Sequence, residues 1–183
     1  MKQKIIVEKI CKLFLYFIMY AMIGWIYEVV LEVFIYKWGY SDRGVLTGPY
    51  CPVYGFGTLA FLFTIYPIIE EKKMPKKLFY IPIVFLGCMF IATAIELVTS
   101  YICEFFMGSW PWQTYVDYKY NFQGRIALSP SIRFGLGGTV FLYMLQPLFE
   151  KITSLMGNKL LKNTTIIVGS IFLIDVVYTF FIK

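Results

Sequence analysis

The sequence predicts an all-α fold, a polytopic membrane helical bundle of about five transmembrane helices. Three observations predict it. Of the 183 residues, 59% are hydrophobic and only 15% charged, with a mean hydropathy of +0.68, whereas a soluble domain carries about 25% charged residues. Apolar stretches recur at lengths near the ~20 residues a helix needs to cross hydrocarbon. Lysines gather in alternate loops between those stretches. Residues 1–183 therefore read as a single transmembrane domain with no separate soluble part.

The first stretch, about 13–36, follows Lys2, Lys4, Lys9 and Lys12. No small-residue cleavage site follows it, so it reads as a retained span rather than a removed leader. Ala21, Gly24, Glu28 and Glu32 fall on one stripe at helical spacings of three and four, a face suited to the bundle interior. The second stretch, about 53–69, is short and opens on Gly48-Pro49-Tyr50-Cys51-Pro52. The third, about 78–103, follows Lys72, Lys73, Lys76 and Lys77 and carries the stripe Ala92, Glu96, Thr99, Ser100 and Cys103. The fourth, about 134–149, is again short and follows Ser129-Pro130-Ser131. Lys151, Lys159 and Lys162 precede the fifth, about 165–182, where Asp175 is an acid with no evident partner. Counting lysines by loop predicts a cytoplasmic N-terminus and an outward C-terminus. The loops 37–52 and 104–133 are then external. The second is dense in aromatics, including Trp110, Trp112, Tyr115 and Tyr118, which suits the membrane–water boundary; it reads as an interfacial anchor or as a lid.

The composition also excludes chemistry. There is no histidine, which removes the commonest general base and metal ligand. The four cysteines (Cys11, Cys51, Cys88, Cys103) form no zinc-like spacing and read as scattered hydrophobes, with a Cys51–Cys103 disulfide as the alternative. The sequence carries no GxSxG, HExxH or GxxxxGK[ST] motif, so it predicts neither an enzyme nor a P-loop ATPase, and it calls for no cofactor and no resident metal. The +6 charge is accounted for by loops on one side of the membrane and does not imply nucleic acid.

The chain reads as an internal duplication. Glu28-Val29-Val30 aligns with Glu96-Leu97-Val98, Arg43-Gly44-Val45-Leu46-Thr47 with Arg125-Ile126-Ala127-Leu128-Ser129, and Gly55-Phe56-Gly57-Thr58 with Gly135-Leu136-Gly137-Gly138-Thr139. The units are about 10–70 and 76–150, with an extra helix at 165–182. Both begin on the same side, so the repeat is parallel. Short, Gly/Pro-interrupted helices at matching positions point to a transporter's binding site. Gly48, Pro49, Pro52, Gly124 and Pro130 are the entry motifs of these short helices; the competing reading is that proline simply starts a helix well and that Gly55, Gly57, Gly135, Gly137 and Gly138 let helices approach closely.

A carboxylate in hydrocarbon costs on the order of 2–4 kcal/mol by insertion scales, so it needs a partner or a task. Glu28, Glu32 and Glu96 lie toward the same side as Arg43, Arg125 and Arg133, with Asp117 assigned to the loop network. Three readings stay open: Glu–Arg pairs hold the loops onto the helices, the cluster lines a polar ligand site open to the outside, or Glu28 or Glu96 exchanges protons during transport.

The string Arg43-Gly44-Val45-Leu46-Thr47-Gly48-Pro49-Tyr50-Cys51-Pro52-Val53-Tyr54-Gly55-Phe56-Gly57, with Asn121-Phe122-Gln123-Gly124-Arg125-Ile126-Ala127-Leu128, resembles a bacterial membrane family labelled "putative ABC-transporter permease (type IV)". The resemblance covers about residues 15–145, through RGxLxGPxCPxYGxG and NxxGRIxL. Val116 stands before Asp117 where the pattern leads one to expect tryptophan. The resemblance implies a multi-pass inner-membrane component of a transport system, paired with an ATPase encoded separately. For docking such an ATPase, the loop 150–164 suits better than 70–77. Five spans are few for a transporter, so a homo- or hetero-oligomer is expected, with span five as a contact. The alternative is a membrane protein that captures or senses a ligand without moving it.

Overall fold

A computed structural model describes residues 2–182. Helix α1 (Lys2–Val30) runs on through a wider, π-helical segment, Leu31–Tyr36. Helix α2 (Pro52–Thr64) is followed by the single turn α3 (Tyr66–Ile69), and a 3₁₀ turn (Lys76–Tyr80) leads into α4 (Ile81–Met107). A second 3₁₀ turn (Gln113–Asp117) and a two-stranded hairpin, β1 (Asn121–Phe122) with β2 (Ile126–Ala127), precede α5 (Leu128–Val140). A π-helical segment (Phe141–Leu145) joins α5 to α6 (Gln146–Leu155), and α7 (Asn158–Phe181) closes the chain.

Among the described residues, three helices are long and apolar enough to cross a membrane: Gln3–Tyr36, Lys76–Met107 and Asn158–Phe181. The first has 34 residues, about 50 Å at the α-helical rise, so it exceeds the ~30 Å hydrocarbon layer and must tilt or project. The most apolar window of α7 is 0% buried and that of α4 only 11%, which is expected of side chains whose solvent is lipid. The other two expected spans differ in kind. The stretch 53–69 is broken at Ile65 between α2 and α3. The stretch 134–149 lies inside a longer helical run, 128–155, that carries Arg133, Gln146, Glu150 and Lys151. Apolar run length suggested both, but the break in one and the polar residues in the other separate them from the long spans.

The chain divides into two compact units, residues 1–59 with 148–183, and residues 60–147. In the first, Cys11 and Leu15 of α1 pack on Leu161 of α7, and Ala21, Leu46 and Tyr50 form a second cluster against Phe172 and Val176 of α7. Phe172 also meets Phe17 edge-on at 5.6 Å. A buried Tyr16–Thr153 hydrogen bond of 3.0 Å holds α6 to α1. In the second unit, α4 and α5 lie side by side, and a Cβ on Gly138 would come within 2.6 Å of Cys88 Cβ. Small residues let these helices approach closely, the usual source of cohesion where lipid supplies no hydrophobic drive. All four cysteines are free thiols.

Candidate functional site

Most motif residues of the loop 37–51 have a visible physical task. The π-helical end of α1 buries Glu32, 6% exposed, and turns its carboxylate toward that loop. Arg43 Nη2 reaches Glu32 Oε1 at 2.6 Å, Arg43 Nε donates to Oε2 at 2.9 Å, and Ser41 Oγ donates to Oε1 at 2.8 Å. This forked arrangement satisfies a carboxylate that would otherwise be costly to bury. Gly44 next to it adopts φ +101°, a conformation that only glycine takes readily. Leu46 and Tyr50 then dip into the apolar cluster against α7.

Asp175, which the sequence left without a partner, receives four donors. These are the Thr47 N–H (3.2 Å), the Gly48 N–H (2.9 Å), the Tyr50 hydroxyl (2.6 Å) and the Thr179 hydroxyl (3.2 Å). The LTGPY segment is thus pinned to α7 through Asp175. Burial first, and then the bond to Asp175, push the Tyr50 hydroxyl far above its ordinary pKa. The Cys51 N–H donates to Ala21 O at 2.9 Å, and Pro52 begins α2, where its missing N–H costs nothing. Burial raises the Cys51 thiol to about 12, reinforced by Glu28 and Asp42 and opposed by Arg43. Pro49 is exposed.

From α2, Tyr54 donates its hydroxyl to half-buried Glu28. One residue on, a Cβ at Gly55 would lie 2.5 Å from the Phe17 ring and 2.7 Å from its carbonyl oxygen. At Gly57 a Cβ would meet nothing within 4 Å.

The second unit uses similar parts. The turn at 122–125 has positive φ at Gln123 (54°) and Gly124 (64°), and the Arg125 N–H closes it on Phe122 O at 3.0 Å. Two consecutive left-handed residues form the mirror-image turn that fits hairpin twist. Asn121 Oδ1 accepts from the Gly124 N–H at 2.9 Å, and its amide donates to Tyr118 O at 2.8 Å. This turn delivers Arg125, 8% exposed, onto α4. Its Nη2 meets Glu104 Oε2 at 2.5 Å, and its Nη1 meets Ser100 Oγ at 3.5 Å. The guanidinium lies between the rings of Tyr101 and Trp110, 4.1 and 4.2 Å from their centroids. Such cation–π contacts each contribute about 0.5–2 kcal/mol, more when desolvated. Trp110 and Trp112 donate their indole N–H groups to Gly124 O and Arg125 O at 3.1 and 2.8 Å. The aromatics of this loop therefore build a socket for Arg125.

Glu96, 7% exposed, accepts from the Tyr115 hydroxyl at 2.9 Å. Arg133 reaches Ser129 Oγ at 3.3 Å from the next turn of α5. Pro130 and Ser131 are buried in the first turns of that helix, where Thr93 donates to Ser131 Oγ at 2.7 Å. Asp117 is exposed and forms no ion pair among the described residues. A Cβ at Gly135 would lie 2.7 Å from the Phe85 ring and 3.0 Å from its carbonyl, while Gly137 has open space.

Tyr54, Tyr115, Ser41 and Glu104 were not foreseen as partners. Glu104 carried a usable signal, since it sits one helical turn beyond Ser100 on the stripe already containing Glu96. Nowhere among the described residues do three Cys, Asp or Glu side chains converge as a metal site would require.

A family model described as "Putative ABC-transporter type IV" matches residues 15–180. No curated protein and no solved structure matches the chain. The match extends beyond the 15–145 expected from the motifs and takes in α7, the helix that receives the LTGPY loop through Asp175. The chain belongs to this ABC-transporter family of membrane proteins.

Proposed function

We propose, from that membership, that the chain is the membrane-embedded, permease-type subunit of a transport system whose ATPase is a separate polypeptide. The reading has its N-terminus in the cytoplasm of a bacterial cell and crosses the inner membrane several times, with loops 37–51 and 108–127 outside. It functions as an oligomer with itself or a second membrane subunit. The chain supplies the membrane path and performs no catalysis.

The observation that carries this reading is a repeated local register. Phe17 lies 11 residues before Glu28 and faces Gly55; Phe85 lies 11 residues before Glu96 and faces Gly135. In each unit the glycine two places later is open. Ser100 stands at the position of Glu32 in this register, and each is met by the arginine of its own loop. The correspondence supports a parallel tandem repeat, 10–70 and 76–150, with 165–182 added. A duplicated helix pair carrying acids and arginines at one end suits a subunit that presents polar groups toward the exterior. Glu28, Glu32, Glu96, Arg43, Arg125 and Arg133 are the residues we assign to that polar face.

The test is affinity purification of the full chain from native membranes. Co-purification of a P-loop ATPase, and flux in vesicles that stops on its removal, is the expected result. A ligand that raises thermal stability with no flux under any partner would assign the chain to capture instead.

A further inference from the structure

We infer that the second unit carries a binding site for an anionic lipid, between the 118–120 loop and the start of α5. A cleft of about 300 Å³ lies there, bordered by Tyr118, Lys119, Tyr120, Leu128, Ser129, Ile132 and Arg133. Its two charged lining residues, Lys119 and Arg133, are both cations, and no acid lines it. The N-terminal turn of α5 opens onto the same space through Leu128 and Ser129, and the positive end of its helix dipole adds to the potential there. Lys119 Nζ sits 5.4 Å from the Tyr120 ring centroid.

The remainder of the cleft is apolar, and it continues. Leu128, Ile132, Leu136 and Val140 recur every four residues along α5 and are 48%, 39%, 57% and 48% exposed. That spacing draws one open apolar track leading away from the cationic end. A free phosphate would use only the cations. A neutral apolar molecule would use only the track. A lipid with an anionic headgroup uses both, its phosphate between Lys119 and Arg133 and one acyl chain along α5. Tyr118 and Tyr120 border the headgroup, where amphipathic rings favour the membrane–water boundary. This site is independent of whether the chain transports anything.

The experiment follows thermal unfolding of the purified full chain in neutral detergent, titrated with phosphatidylglycerol, phosphatidylcholine or inorganic phosphate. Phosphatidylglycerol should stabilise, and the other two should not at equal concentration. The double variant Lys119→Gln/Arg133→Gln should bind phosphatidylglycerol on the order of 25-fold more weakly, at about five-fold per cation. Lys119→Arg/Arg133→Lys should retain binding. Equal stabilisation by phosphatidylcholine, or by phosphate alone, would overturn the proposal on wild-type protein even if the glutamine variant failed to fold. An unchanged phosphatidylglycerol midpoint in a folded glutamine variant would overturn it as well.

Discussion

Substituting alanine for glycine at four positions should separate two pairs that sequence alone makes look alike. At Gly55 the added methyl would lie 2.5 Å from the Phe17 ring and 2.7 Å from the Phe17 carbonyl; at Gly135 the corresponding distances to Phe85 are 2.7 and 3.0 Å. A ring can rotate away, but a helix carbonyl moves only with its helix, so relief requires the two helices to separate. Overpacking of this kind costs about 1–3 kcal/mol, partly offset by the roughly 1 kcal/mol that alanine gains over glycine within a helix. The net loss expected is up to about 2 kcal/mol, a fall in Tm of up to roughly 8 °C for a chain of this size. Gly57→Ala and Gly137→Ala meet open space, so only the propensity gain remains and Tm should hold or rise by a few degrees. Thermal unfolding of the four purified variants, followed by intrinsic fluorescence, reads the difference. Equal losses at all four positions, or losses at Gly57 and Gly137 alone, would refute the close-approach argument and the repeated register with it.

Three further outcomes follow from the same geometry. Asp175→Asn should release the Thr47–Tyr50 segment, because the amide cannot accept both backbone donors and the Tyr50 hydroxyl as a carboxylate does; a loss of about 1–3 kcal/mol and faster proteolysis near residue 48 are expected. A Tyr54→Phe/Glu28→Gln double-mutant cycle should show coupling of about 0.5–3 kcal/mol, while Glu71→Gln and Lys162→Ala serve as neutral references. The raised Cys51 thiol, at about 12, means the folded state holds a proton that the unfolded state gives up near pH 8.5–9. Stability should therefore fall between about pH 9 and 12, with Tyr50 acting in the same direction, and Cys51→Ala should flatten part of that slope in a pH series of melts.

What could be read in advance depended on how local the cause is. The long spans follow from apolar composition, and the helix start at Pro52 follows from a residue type that permits few alternatives. Glu32 with Arg43 was within reach, 11 residues apart on a helix end and its loop. The donors to Asp175 were not, because two of them are backbone N–H groups some 127 residues away, and a backbone N–H leaves no trace in a sequence. Tyr54 as the donor to Glu28, and Tyr115 as a donor to Glu96, were missed for a related reason. A phenol can donate one hydrogen bond to a carboxylate, yet it reads in sequence as one more aromatic. Glu150 and Lys151 ended the fourth apolar run without ending its helix, since charges at a helix surface interrupt hydropathy but not hydrogen bonding.

The most direct test of the account is a charge exchange across the two loop-holding pairs, Glu32/Arg43 and Glu104/Arg125, read by thermal unfolding and by limited proteolysis of the loops. Arg43→Glu and Arg125→Glu should each loosen their own loop, and adding Glu32→Arg or Glu104→Arg should restore a substantial part of what was lost. Strictly additive losses in both exchanges, with no recovery in either unit, would contradict it.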